Sequence, residues 1–130
     1  MAVSNLNGGR LSMVVHAFKR PRSPSFVQRG LKGYRFPIRS KKVEVYFVNV
    51  TKGHEAFFIS KKITHIYYVL DGKGHFTIKD HLHHVHPGML VEVPPNIEYS
   101  YTGNMRLVLI MTPPWFPGNE KVTRKNPDVP

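Results

Sequence analysis

The chain contains no cysteine, and this absence excludes several kinds of chemistry. Disulfides, thiolate zinc sites and cysteine nucleophiles cannot form, and a reducing compartment is compatible with the sequence. Long hydrophobic runs are also missing, since the longest, residues 107–111, is far too short to span a bilayer. No apolar signal-peptide region follows the first methionine. We therefore expect a cytoplasmic protein with no membrane partner.

Acidic residues are missing from the first third of the chain. Residues 1–43 carry ten lysines and arginines and no acid, whereas the rest carries nine basic and eight acidic side chains. The net charge of +11 therefore belongs mainly to an N-terminal arm. The favoured interpretation is a solvated arm that packs on the domain or on a second subunit. Contact with phosphate or RNA is the second interpretation, and organelle targeting, for which an acid-free start is typical, is the third.

From residue 43 onward, short β-prone runs alternate with turn residues. The runs occupy residues 43–50, 55–59, 65–70, 74–78, 81–86, 89–93, 97–101 and 105–111. Glycine, proline, asparagine and aspartate separate them, and no convincing amphipathic helix is present. About eight strands at this spacing predict an all-β sandwich or a closed barrel.

The length of 130 residues fits one domain with a buried core. We divide it into a basic N-terminal arm over residues 1–42, partly packed on the barrel, a barrel over residues 43–117, and an irregular tail over residues 118–130. Residues 30–42 are expected to lie as an extended segment against the sheet of the same or a partner barrel. Because a single barrel leaves an exposed edge strand, a homodimer is predicted.

Three stretches of the sequence resemble the small single-domain cupins. They are YYVLDGKGHFTIKD, VHPGMLVEVPPNIEYSY and LVLIMTPPWF. The resemblance covers about residues 44–117 and implies a double-stranded β-helix, which is a jelly-roll barrel with a pocket at its mouth. It implies much less about function, because cupins host many unrelated activities on one barrel.

The metal-binding pattern of that family is largely missing here. Metal-binding cupins present H-x-H, an acidic residue and a later histidine, and the matching positions hold Phe58 and Ser60, then His65, then Tyr99. Only His65 is a strong ligand, whereas a divalent transition metal needs at least three imidazole or carboxylate donors. No cofactor is therefore expected, and a divalent metal held by atypical ligands is the alternative.

In the register that the resemblance implies, the lumen of the barrel is aromatic. The residues predicted to contact a ligand are Phe58, Ser60, His65, Tyr67, Tyr99, Tyr101 and Met111. We expect Val69, Met89 and Trp115 to add apolar surface. This mixture suits a neutral or weakly charged organic ligand, sugar-like or aromatic. His65 and Tyr99 are also the candidate catalytic residues, because an imidazole beside a phenol is the minimum pair for moving a proton.

A second group of histidines occurs in DHLHHVHPG, residues 80–88. On a strand, His81 and His83 share one face, while His84 and His86 share the other. These four residues are the weaker, alternative metal site, because each pair could chelate nickel or zinc but has no evident third donor. Solvent-facing or interface positions are the favoured interpretation.

Three functions fit these patterns. The first is a cupin barrel that binds a small organic molecule without the usual metal. The second is an isomerase-like or epimerase-like enzyme that uses His/Tyr acid–base chemistry. The third is nucleic-acid contact through the basic arm, for which no RNA-binding module is recognisable. The first two differ in whether His65 has an acidic or carbonyl partner beside an open cavity that also holds a tyrosine hydroxyl.

Overall fold

The computed structural model describes residues 17–130 as an antiparallel β-structure. Its strands are β1 (Phe26–Gln28), β2 (Leu31–Arg35), β3 (Glu44–Val50), β4 (Ala56–Ser60), β5 (Thr64–Ile78), β6 (His81–Val85), β7 (Leu90–Val93), β8 (Glu98–Thr112) and β9 (Glu120–Lys125). Residues 17–130 contain no helix, and so none that could cross a membrane. The all-β prediction is confirmed, while residues 1–16 of the predicted arm lie outside the described residues.

Two long strands, β5 and β8, organise the fold. They pair antiparallel along their whole length, from Thr64 opposite Thr112 to Ile78 opposite Tyr99. At one end β3 continues the sheet beside β8 and β7 beside β5, and at the other end β4 and β6 take these places. The two sections face each other across a shared core, as the 5.0 Å between the rings of Tyr67 and Phe76 shows. The result is a curled, jelly-roll-like barrel.

Asp71-Gly72 separates the runs 65–70 and 74–78 of the sequence, and Gly103-Asn104 separates 97–101 and 105–111. The prediction of turns at these two places is wrong, because both lie inside the long strands. The pairing register shifts between Val69 and Asp71, and Gly72 has a φ of 81°. A Cβ on Gly72 would overlap the carbonyl oxygen of Asn104. Glycine therefore permits a close crossing at which the strand bends and continues.

Part of the predicted arm is built into the sheet. β2 pairs antiparallel with β3 of the same chain, and β1 pairs with β2. Leu31 is buried, whereas Lys32 on the opposite face and Arg35 at the end of the strand are exposed, so both charged groups remain in solvent. The ring of Phe26 occupies the space where a side chain on Gly33 would begin.

The tail predicted to be irregular contains a strand, and this prediction needs correction. β9 pairs antiparallel with β4. All of its residues are exposed, so no apolar alternation marks it in the sequence. Backbone pairing and two buried asparagines, Asn119 and Asn126, hold it in place, and the guanidinium of Arg124 lies 3.7 Å from the ring centroid of Phe57.

Alternation along β5 directs the site residues inward. His65, Tyr67 and Val69 are 2 % exposed or less, whereas Tyr68 and Leu70 are 41 % and 45 % exposed. The predicted direction of the first three side chains is therefore confirmed, and they join the core between the two sheet sections.

Candidate ligand-binding and active site

A cavity of about 450 Å³ opens from the barrel. Its lining residues are Ser25, Phe26, Gln28, Tyr46, His54, Phe58, His65, Tyr67, Tyr101, Leu109, Met111, Trp115 and Glu120. The floor is almost completely buried, since Phe58, His65 and Tyr101 are 3 % exposed or less, whereas Trp115 at the rim is 49 % exposed. Aromatic and apolar walls with a few polar groups are typical of sites for small organic molecules.

The sequence did not show whether His65 has an acidic neighbour, and the structure places one beside it. Its Nε2 lies 3.9 Å from Oε2 of Glu120. Burial lowers the pKa of His65 to about 4, so the imidazole is neutral near pH 7. Its Nδ1 is buried and has no hydrogen-bond partner within residues 17–130.

Glu120 reaches the cavity because Asn119 fixes the start of β9. The carbonyl oxygen of Asn119 accepts a hydrogen bond from the Lys61 N–H at 2.8 Å, and Oδ1 accepts one from the Lys62 N–H at 2.9 Å. Its Nδ2 donates to Oγ of Ser60 at 2.9 Å. These bonds orient the backbone at Glu120, whose carboxyl pKa is raised by burial.

His54, between β3 and β4, is a site residue that the sequence analysis missed. Its Nδ1 lies 2.9 Å from the carbonyl oxygen of Ala56 and 3.3 Å from the Ala56 nitrogen. We assign the proton to Nδ1 because the contact with the carbonyl oxygen is the shorter, and this leaves Nε2 as the acceptor. Burial lowers the pKa of this imidazole as well. Its ring lies 4.6 Å from that of Phe58 and 5.8 Å from that of Tyr101.

Three phenols lie side by side in the interior. The hydroxyls of Tyr67 and Tyr99 are hydrogen-bonded to each other, and the ring of Tyr101 lies 5.3 Å from that of Tyr67. Burial raises the pKa of all three phenols. They are therefore neutral near pH 7 and can donate hydrogen bonds.

We call the group formed by His54, His65, Tyr67, Tyr101 and Glu120 the acid–base wall. It brings two neutral imidazoles, two phenols and one carboxyl onto a single cavity. Such a set can accept a proton at one atom and donate one at another without a metal.

The other end of the cavity, which we call the arm wall, consists of Phe26, Gln28, Tyr46 and Trp115. The rings of Phe26 and Tyr46 lie 5.5 Å apart, edge to face. Glu44 fixes this end, because its Oε1 accepts hydrogen bonds from the Tyr46 hydroxyl at 3.2 Å and from the backbone N–H of Trp115 at 3.0 Å. Burial and the Glu44 carboxylate raise the pKa of Tyr46 to about 12.

Five of the seven predicted contact residues line the cavity: Phe58, His65, Tyr67, Tyr101 and Met111. Ser60 does not, because its Oγ is bonded to the backbone of Ile63 and to Asn119. Tyr99, the predicted catalytic partner, lies behind Tyr67 and is fully buried. The functional roles of all seven residues remain predictions.

Of the three residues expected to add apolar surface, only Trp115 lines the cavity, because Val69 and Met89 pack in or against the core. Besides His54, the sequence analysis missed Gln28 and Glu120. They lie in the segments regarded as arm and tail, so only the strand pairing of those segments could have revealed them.

The usual metal set of the cupin fold does not fit these residues. Phe58 has no donor atom, Ser60 is engaged in hydrogen bonds, and the Tyr99 hydroxyl is bonded to Tyr67. Across residues 17–130, no three His, Asp or Glu side chains are grouped so that they could hold a metal ion.

The four histidines of β6 and its end, His81, His83, His84 and His86, are exposed. The ring of His84 lies 6.1 Å from that of His75 on β5. This pair lies apart from the residues that line the cavity.

Comparison with known proteins shows which family the sequence matches and which solved structures share its fold. The sequence profile of the cupin domain matches residues 46–113. None of the curated protein sequences compared with the chain is significantly similar.

Among solved structures, Pac13 of Streptomyces, described as a nucleoside dehydratase, superimposes with a TM-score of 0.79 at 24 % identity, covering 88 % of this chain and 96 % of Pac13. Variants of Pac13 have been solved with uridine; two replace a tyrosine by phenylalanine and one a histidine by glutamine. KdgF from Halomonas sp. superimposes with a TM-score of 0.60 at 13 % identity, covering 75 % of this chain and 86 % of KdgF.

Proposed function

The chain belongs to the cupin family, and we propose that its barrel binds a neutral nucleoside and removes water from it by metal-independent acid–base catalysis. The observation that carries this proposal is the acid–base wall. It places a free imidazole nitrogen on His54 and the carboxyl of Glu120 on one cavity. Elimination of water needs a base that takes a proton from carbon and an acid that protonates the departing hydroxyl.

The cavity favours a neutral ligand. Its lining includes no lysine or arginine among the described residues, and Glu120 is its only acidic side chain. A buried phosphate would lack a counter-charge there, which costs several kcal/mol. Hydroxyl, imidazole and amide groups between aromatic walls instead suit a molecule with both a hydroxylated ring and a flat ring.

The spacing of three residues supports a nucleoside in particular. In the Pac13 variants, the replaced histidine precedes one replaced tyrosine by thirteen residues, and the second tyrosine follows after a further thirty-four. His54, Tyr67 and Tyr101 have the same two spacings, and all three line the cavity.

Four of the five members of the wall have a role in the proposed reaction. Nε2 of neutral His54 takes the proton from the carbon between a carbonyl group of the sugar and the carbon that bears the departing hydroxyl. The neutral phenols of Tyr67 and Tyr101 donate hydrogen bonds to that carbonyl oxygen, on which negative charge develops. Glu120, with its raised carboxyl pKa, gives a proton to the hydroxyl as the carbon–oxygen bond breaks. One water leaves, and the proton on His54 returns to Glu120 through solvent.

The test is a calorimetric titration of uridine and other nucleosides, followed by mass spectrometry for loss of one water from nucleosides whose sugar carries an aldehyde or ketone. His54→Gln is expected to lower turnover by about 10² to 10⁴ while binding changes little, because general bases contribute rate enhancements of that size. Tyr101→Phe should lower both turnover and binding affinity. His83→Gln, at an exposed position outside the cavity, is the matched control.

Three outcomes are informative. Binding of nucleosides whose sugar carries an aldehyde or ketone, without their turnover by the wild type, would contradict catalysis and favour a nucleoside-binding module. Turnover that is unchanged in His54→Gln would remove this histidine as the base. The absence of binding by every nucleoside would refute the proposed ligand class.

A further inference from the structure

Gln28 carries an unsatisfied buried group at the arm wall. Its Oε1 is buried and has no hydrogen-bond partner within residues 17–130. On β1, Gln28 lies on the same face as Phe26, which packs on Tyr46, whereas Val27 between them is 60 % exposed on the other face. Its side chain borders the large cavity and also a smaller one of about 160 Å³. A buried polar atom without a partner is destabilising, so it is a position where a ligand donor would be favourable.

The amide of Gln28 offers an acceptor and a donor side by side. A planar heterocycle that presents an N–H next to a carbonyl oxygen or ring nitrogen is complementary to both groups. Sugars have no such flat, adjacent donor and acceptor. The chemistry at this position therefore fits the edge of a nucleobase.

Two aromatic side chains that border the cavity could stack on the faces of the same base. Trp115 is half exposed and borders the cavity, and its backbone N–H is held by Glu44. Phe26 lies two residues before Gln28, on the same face of β1, and also borders the cavity. Stacking on aromatic side chains is a common way of binding bases whatever their sequence.

The two ends of the cavity are separated by the width of two strand intervals. Leu109 on β8 lies opposite Tyr46 of the arm wall, on β3, and also opposite Tyr67 of the acid–base wall, on β5. Neighbouring strands are about 4.8 Å apart, so the two walls are about 10 Å apart. A nucleoside can span this distance with its base at one wall and its sugar at the other.

We propose that Gln28 recognises the hydrogen-bonding edge of the nucleobase while Trp115 covers its face, so that the sugar lies against the acid–base wall. This inference rests on the proposed function and adds the orientation of the ligand and the residues that select its base. It also assigns a binding role to β1, which lies in the basic arm.

The experiment compares uridine with 3-methyluridine, in which a methyl group replaces the edge N–H. Affinities are measured by calorimetry on the wild type, Gln28→Leu and, as matched control from the same strand, Val27→Ala. We expect the wild type and Val27→Ala to bind uridine about tenfold more tightly than 3-methyluridine. Gln28→Leu should weaken uridine binding about tenfold and remove the preference. Because Trp115 is the only tryptophan, its fluorescence should change on uridine binding and stay constant with free ribose.

Equal affinities of the wild type for the two nucleosides would overturn the base-recognition proposal and leave nucleoside binding intact. A preference that survives in Gln28→Leu, shown by thermal unfolding to be folded, would also overturn it. If the wild type binds no nucleoside, this inference and the proposed function both fail. The comparison of the two nucleosides on the wild type tests the proposal even if the variant does not fold.

Discussion

Nε2 of His65 and Oε2 of Glu120 lie 3.9 Å apart, which places a carboxyl from the last strand beside an imidazole in the centre of the barrel. The imidazole is almost fully buried, whereas the carboxyl side chain is about one third exposed. The pair therefore connects the interior of the protein with solvent at the rim of the cavity.

Stability should depend on pH through His65. Its pKa is about 4 in the folded chain and 6.5 in the unfolded chain, so the unfolded chain binds more protons between these values. The free energy of unfolding therefore falls as the pH is lowered from 6.5 to 4, by roughly 3 kcal/mol from this residue. His65→Gln should show a flatter dependence in urea unfolding at several pH values.

The matched control for that experiment is His83→Gln, at an exposed position on β6. Glu120 acts in the opposite direction, because burial raises its pKa and its folded form gains protons first as the pH falls. The informative quantity is therefore the difference in slope between variant and wild type. Equal slopes for the wild type and His65→Gln would contradict the prediction.

Asn119→Ala should destabilise the protein and displace the site carboxyl. The change removes two side-chain hydrogen bonds at a residue that is 1 % exposed and leaves the N–H of Lys62 without its partner. A loss of about 2–4 kcal/mol in the free energy of unfolding is expected. Lys121→Ala, two residues along the same exposed strand, should cost less than about 0.5 kcal/mol. Similar values for the two variants would show that Asn119 does not anchor β9.

Gly53→Ala should cost more stability than Gly88→Ala, although both glycines have positive φ values. A Cβ on Gly53 would overlap the carbonyl oxygen of Tyr101, whereas a Cβ on Gly88 would meet nothing within 4 Å. Backbone strain alone costs about 1–2 kcal/mol, and the clash should add about 2 kcal/mol at Gly53. Nucleoside binding should also weaken in Gly53→Ala because His54 follows directly. Equal melting temperatures would refute the predicted clash.

Protein purified without a histidine tag should contain no stoichiometric iron, manganese or zinc. The reason is that Phe58, Ser60 and Tyr99 occupy the positions where the fold usually places ligands. Elemental analysis measures this directly. One tightly held metal equivalent that is lost in His65→Ala would contradict the prediction, whereas loosely held zinc that is lost in His84→Ala would indicate surface binding only.

The inward direction of His65 and Tyr67 was predictable, because strand alternation follows from backbone geometry once the register is known. The continuity of β5 and β8 was not. Asp71-Gly72 has the composition of a turn, and only the close approach of Asn104 turns it into a bend within a strand. Local composition identifies where glycine is needed but does not distinguish a chain reversal from a crossing.

The cavity was only partly predictable for a related reason. The aromatic residues of the barrel strands predicted the floor of the cavity, but Gln28 and Glu120 come from segments with little apolar alternation. β9 has the sequence EKVTRK, and backbone hydrogen bonds together with Asn119 attach it to the barrel. Pairing of this kind leaves no hydrophobic pattern by which a strand can be recognised.

β9 supplies the carboxyl of the site while contributing nothing to the hydrophobic core, since all of its residues are exposed. Apart from Arg124, which stacks on Phe57, substitutions along it are therefore free of the packing constraints that limit change at Tyr67 or Phe58. A protein engineer could therefore replace residues of this strand to change the acidic group at the cavity while the barrel keeps its shape.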